Sequence, residues 1–101
     1  MWAFAAGLDE AGVHVAISTG HPAAKMKLLP VCAGLCVRDG MARERALASI
    51  TSMPADLLGL SDRGRIAEGC RADLTIFDGD PLLLATSLIM TIAGGHIHGR
   101  A

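Results

Sequence analysis

The chain has 101 residues, 51% of them hydrophobic and 19% charged, with a formal net charge of −1. That composition suits one small globular domain or part of a larger one, well away from disorder. It excludes a basic field for nucleic acid or an anionic membrane, and 3% aromatics with no Tyr exclude a stacking platform for bases or sugars.

In chain order, Ala3 to Ala11 reads as a short helix, with Phe4 and Leu8 four apart and Gly12 placed to cap its end. Val13 to Ile17 follows as a strand, because Val13, Val15 and Ile17 alternate with His14 and Ala16. Helix, glycine and short apolar strand form the αβ half of a βαβ unit. Ser18 to Lys27 is a polar loop at the carboxyl end of that strand. Leu28 to Asp39 is a helix with Pro30 in its first turn, Leu35 toward a core and Gly40 as its stop. Arg43 to Ile50 and Pro54 to Leu58 are two further helices, the last ended by Gly59.

The pattern changes at Ser61, which divides residues 1–60 from a β-rich tail of residues 61–101. The tail's expected strands are Arg65–Ala67, Asp73–Phe77, Leu88–Ala93 and His96–His98. Gly94-Gly95 between the last two is a two-residue hairpin signal. The mean hydropathy of +0.44 is high for a chain that must be wet on its outside. The most apolar stretch, Leu82 to Ala93, is twelve residues and contains Thr86, Ser87 and Thr91. A membrane-crossing helix needs roughly 20 apolar residues, so no span is expected. The start lacks a basic n-region, which argues against a signal peptide. The excess apolarity points instead to faces that pack against something else.

The three cysteines, Cys32, Cys36 and Cys70, are too few and too scattered for a disulfide framework. Cys32 and Cys36 read as packed thiols on one helix face, and a reducing cytoplasm is the expected compartment.

Three constellations could carry chemistry. Ser18-Thr19-Gly20-His21-Pro22 sits where α/β folds place their sites, and His21 could ligate a metal, donate a hydrogen bond, shuttle a proton or simply hold the loop with Pro22. His96-Ile97-His98 puts two imidazoles on one strand face, a spacing that can clasp zinc but lacks a third ligand nearby. Gly64 to Leu74 and Asp78-Gly79-Asp80-Pro81 read as structural turns, since no Gly-Lys-Ser/Thr ending or following helix makes a phosphate loop.

Together these segments resemble the carboxyl end of a metal-dependent amidohydrolase, of the imidazolonepropionase-like subgroup. The resemblance is carried by Ala11-Gly12-Val13 leading to Ile17-Ser18-Thr19-Gly20-His21-Pro22, then Arg43-Glu44-Arg45-Ala46-Leu47 to Ile50-Thr51, and Pro54-Ala55 to Leu58-Gly59-Leu60. It continues through Gly64 to Leu74, Phe77 to Leu82, and Gly94-Gly95-His96-Ile97. It implies an α/β fold: the last αβ unit and helices of a (β/α)8 barrel, followed by part of a small β-sandwich built from both chain ends. It also implies hydrolysis of non-peptide C–N bonds, amide or cyclic amide, in a small-molecule substrate, with zinc or another divalent metal in the full-length family.

The resemblance carries Thr19 and His21 over as residues lining the site. The family's catalytic Asp, a metal neighbour and base, would stand at Gly20, which has no side chain. The chain is therefore expected to bind no cofactor and to be inactive alone, although its family is one of metal-dependent enzymes. Ala42 stands where a capping Ser or Thr is usual, and Met53 where a capping Asn is usual. Two alternatives stay open: a non-catalytic interaction module and a degenerate amidohydrolase homologue. No nucleic acid or membrane partner is expected, and self-association through uncovered apolar faces is.

Overall fold

The computed structural model describes residues 2–19, 28–83 and 85–98. Four helices come first: α1 (Trp2–Glu10), α2 (Leu29–Arg38), α3 (Arg43–Ala48) and α4 (Ser52–Leu57). A three-stranded antiparallel sheet follows: β1 (Leu74–Phe77), β2 (Leu88–Ala93) and β3 (His96–Ile97), with β2 in the middle. No described helix is long and apolar enough to cross a membrane.

Three helices end by the same local device. After α1, the Gly12 N–H donates to the Asp9 carbonyl and the Val13 N–H to the Leu8 carbonyl, both at 3.0 Å. Gly40 and Met41 repeat this on Val37 and Cys36, and Gly59 and Leu60 repeat it on Asp56 and Ala55. The pattern needs a left-handed residue at the turn, and glycine takes it without a Cβ penalty. All three glycines have positive φ: 88°, 116° and 74°. Helix starts are weaker. Ala42 is the N-cap of α3 with an extended backbone and no side-chain cap. Relative to Ser, that omission costs about 1 kcal/mol. Met53 is not a cap. Thr51 holds that position before α4, and its hydroxyl instead donates back to the Leu47 carbonyl at 2.7 Å.

The core lies among the helices and is built mostly from small side chains, Ala6, Ala33, Cys36 and Ala46, joined by Met41 and Leu82. Small residues let α1, α2 and α3 approach closely. Leu82 joins the cluster from the tail, because its turn lies directly against Gly34 of α2. The expected apolar contacts are displaced. Phe4 is 71% exposed while Ala6 is buried, and Leu35 is only half-buried. Among the described residues, ten large hydrophobic side chains are exposed and eight hydrophobic residues are buried. Much of the apolar surface is therefore uncovered, as the hydropathy led one to expect.

Two expected strands do not form. Among the described residues Val13–Ile17 joins no sheet ladder, although Val15 and Ile17 are half-buried and His14 and Ala16 are exposed. The period of two is present, but a strand is completed by its neighbours. Among the described residues Arg65–Ala67 likewise joins no sheet ladder, and Ile66 is 89% exposed. The Gly94-Gly95 hairpin forms as its sequence dictates. Both glycines have positive φ, 57° and 83°, and Ala93 faces His96 across the turn.

Candidate functional site

The segment that leads to Thr19 is placed by two contacts. The Ile17 N–H donates to the Ser49 carbonyl at 3.0 Å, and the Ile17 side chain packs on the helical core. Ser49 is 2% exposed, and its hydroxyl donates to the Ala46 carbonyl at 2.6 Å. Beside this anchor, Arg45 Nε meets Asp9 Oδ1 at 2.9 Å and ties α3 to α1. The chain entering the polar loop is thus fixed between the end of α1 and the end of α3. Sequence reasoning missed Ser49. A lone serine in a helical pattern carries no signal of burial.

Thr19 is half-buried, two residues beyond the Ile17 anchor. Gly20, His21 and Pro22 lie outside the described residues. His96 and His98 are both exposed on the terminal hairpin. Among the described residues, no three His, Cys, Asp or Glu side chains come together in a way that could hold a metal ion. These residues by themselves do not assemble a donor set for zinc. The thiols are free: Cys36 is buried, and Cys32 and Cys70 are partly so. Burial, then Cys32 and Asp39, pushes the Cys36 thiol up, which makes it a poor nucleophile.

The glycine-rich stretch from Gly64 to Leu74 is structural. The Arg71 N–H donates to the Asp62 carbonyl at 2.6 Å and closes the loop at its base. Arg65 pairs with Asp56 of α4 at 2.8 Å. Asp73 Oδ1 accepts the Gly94 N–H at 2.7 Å, so the acid of Ala72-Asp73-Leu74 pins the hairpin of the last strand.

The acids of the next turn do similar work. Asp78 Oδ1 accepts from the Ser87 N–H at 2.8 Å. Asp80 Oδ1 accepts from Arg43 Nη2 at 2.6 Å and from the Leu82 N–H at 3.0 Å. Arg43 opens α3, so this pair joins the tail to the helices. The Arg43 hydrogen bond, then that from the Leu82 N–H, holds the Asp80 carboxyl below the usual aspartate range. A carboxyl with a lowered folded-state pKa stabilises the fold fully above its unfolded-state pKa of about 3.9. That contribution is lost as the pH falls toward the folded value. Asp80→Asn is expected to lower the urea midpoint at pH 7 and to flatten its fall below about pH 4. An acid limb unchanged in the variant would remove this linkage.

One feature is a product of the tertiary structure. A groove of about 970 Å³ runs between the helices and the sheet, lined by Leu47, Ile50, Leu58, Ile66, Leu74 and Phe77 among others. Its walls come from segments as far apart in the sequence as Leu29 and Leu88.

Known proteins share this chain's pattern. The amidohydrolase family matches residues 8–98. An imidazolonepropionase from Streptomyces griseus is 41% identical over 80 residues, covering 76% of this chain and 20% of its own length. An N-acyl-D-glutamate deacylase from Alcaligenes xylosoxydans xylosoxydans is 51% identical over 37 residues, covering 37% of this chain and 8% of its own. Among solved structures, an amidohydrolase from Thermotoga maritima superposes with a TM-score of 0.94 at 29% identity, over 100% of this chain and 27% of that one. The chain spans about a fifth of the length of the Streptomyces imidazolonepropionases it matches.

Proposed function

The chain belongs to the amidohydrolase family, and from that premise we propose that it is the carboxyl-terminal portion of an imidazolonepropionase-like hydrolase of non-peptide C–N bonds. The observation that carries this reading is the continuous likeness from the end of α1 to the terminal hairpin, in sequence and in backbone alike. Residues 1–60 would then belong to the last αβ unit and helices of a (β/α)8 barrel, and residues 61–101 to a composite β-sandwich. Thr19, Gly20 and His21 would stand at the mouth of the last barrel strand.

In this reading Thr19 and His21 line the site and contact a small amide or cyclic amide. The metal-activated water of such a hydrolase needs a carboxylate as neighbour and base. Gly20 cannot supply one. The described residues offer no metal donor set in its place. The 101 residues are therefore expected to be silent as a hydrolase by themselves. The chain, purified and dialysed against zinc, should hydrolyse neither the substrate of imidazolonepropionase nor that of N-acyl-D-glutamate deacylase above the buffer rate. Zinc retained at one ion per chain, together with zinc-dependent turnover, would overturn the reading of Gly20 as a disabled position.

A further inference from the structure

Helix α3 is six residues long and begins weakly. Its N-cap, Ala42, offers no side-chain oxygen to the first turn. Its first residue is Arg43, a cation at the end where the helix dipole favours an anion. So short a helix is held by its contacts rather than by propensity. At the start of α3 that contact comes from the tail. Arg43 Nη2 lies 2.6 Å from Asp80 Oδ1, and Arg43 Nε lies 3.4 Å from Asp80 Oδ2. Asp80 is itself held in its turn by the Leu82 N–H, and Leu82 is seated in the helical core. Glu44 is the one acid of the first turn, and Asp80 adds a second from outside the helix.

From that start a continuous run of hydrogen bonds leads through α3 to the polar loop. The Ala42 carbonyl accepts the Ala46 N–H at 2.9 Å. The Ala46 carbonyl accepts the Ser49 hydroxyl at 2.6 Å. The Ser49 carbonyl accepts the Ile17 N–H at 3.0 Å. Ala46 and Ser49 are 0% and 2% exposed, so water does not take over these bonds when one is lost. Bonds in such a run strengthen and weaken together. Ile17 stands two residues before Thr19. We propose that α3 couples the tail to the segment entering the Thr19 loop, with the Arg43–Asp80 pair holding the helix start and thereby the Ile17 anchor at its end. A fray at the start of α3 spreads through the whole of so short a helix, since forming its first turn is the costly step. The Ser49 carbonyl then loses its place, and Ile17 loses its acceptor. All of these contacts lie within the described residues, and the coupling does not depend on the catalytic reading.

The test is amide hydrogen exchange of the whole chain, followed residue by residue by NMR. Arg43→Ala removes the pair and leaves the Asp80–Leu82 turn intact. It should speed exchange of the Ile17 amide by about threefold to fivefold, toward the upper end of what an exposed ion pair contributes, while the amides of α2 keep their rates. Ala42→Ser supplies the missing cap. Added to Arg43→Ala, it should return the Ile17 amide to the wild-type rate. Alone, it should slow that amide by a similar factor, a change in the stabilising direction that loss of folding cannot imitate. An Ile17 amide indifferent to Arg43→Ala would overturn the proposal. So would equal acceleration of the α2 amides, which marks a general loss of stability in place of a coupling through α3. Failure of Ala42→Ser to restore or slow the Ile17 amide would overturn the route through the helix start.

Discussion

Replacing Gly64 by alanine is expected to destabilise the folded chain by roughly 3 kcal/mol, from two separable causes. Gly64 has a φ of 90°, where an L-residue carries a penalty of roughly 1–2 kcal/mol. A methyl added there would also lie 2.7 Å from the Ala55 Cβ, 2.8 Å from the Thr51 carbonyl oxygen and 3.1 Å from the Ser52 Cα. These are atoms of α4 and its cap, and backbone cannot step aside as a long side chain can. Overpacking of this kind typically adds about 1–3 kcal/mol. Gly69, in the same motif, has a similar φ of 87° but open space around it. Gly69→Ala should therefore show the backbone cost alone, about 1–2 kcal/mol. Urea unfolding of the two variants beside the wild type separates the causes. If Gly64→Ala is no worse than Gly69→Ala, the loop does not rest on α4 as described.

The second large effect sets helix propensity against packing. Gly34 lies inside α2, and alanine there would gain about 1 kcal/mol by propensity alone. The methyl would, however, collide with the backbone carbonyl of Leu82, whose side chain is part of the core. Because the obstacle is backbone, the cost lies toward the upper end of the usual 1–3 kcal/mol, and the sign should be a net loss of about 1–2 kcal/mol. Gly7, inside α1, is the control. Nothing lies within 4 Å of its added Cβ. Gly7→Ala should stabilise by up to about 1 kcal/mol. Opposite signs for the same exchange in two helices would locate the close approach of the tail at α2. Stabilisation by both would mean that the Asp80-Pro81-Leu82 turn does not rest there.

The helix ends were legible because each is settled within about six residues of chain. Gly12, Gly40 and Gly59 each stand after an apolar helical run, and each closes its helix by the same pair of backbone hydrogen bonds. Gly94-Gly95 was legible for the same reason. The core was less so. Leu35, Phe4 and Leu8 carried the helical pattern, yet the tightest contacts went to Ala6, Ala33, Cys36 and Ala46. Where helices touch closely, small residues occupy the contact and larger ones are pushed to its rim. Periodicity marks which face is apolar but does not give the distance between helices. Of the residues expected to line a site, Thr19 is described and half-buried, while Gly20 and His21 lie outside the described residues. The anchor of that segment, Ile17 on Ser49, joins residues 32 apart and had no local signal.

By itself, then, the sequence determined the turns, the glycine helix ends and the family likeness, because each is a property of a residue or of its nearest neighbours in the chain. Tertiary structure alone decided which apolar runs became strands. Leu74–Phe77 and Leu88–Ala93 found each other and formed a ladder, whereas Val13–Ile17 and Arg65–Ala67, with comparable patterns, joined no ladder among the described residues. It also decided that Arg43 would meet Asp80 and that Leu82 would seat on Gly34. The reason is that a helix satisfies its own hydrogen bonds, while a strand, an ion pair or a seated side chain is completed only by a distant segment.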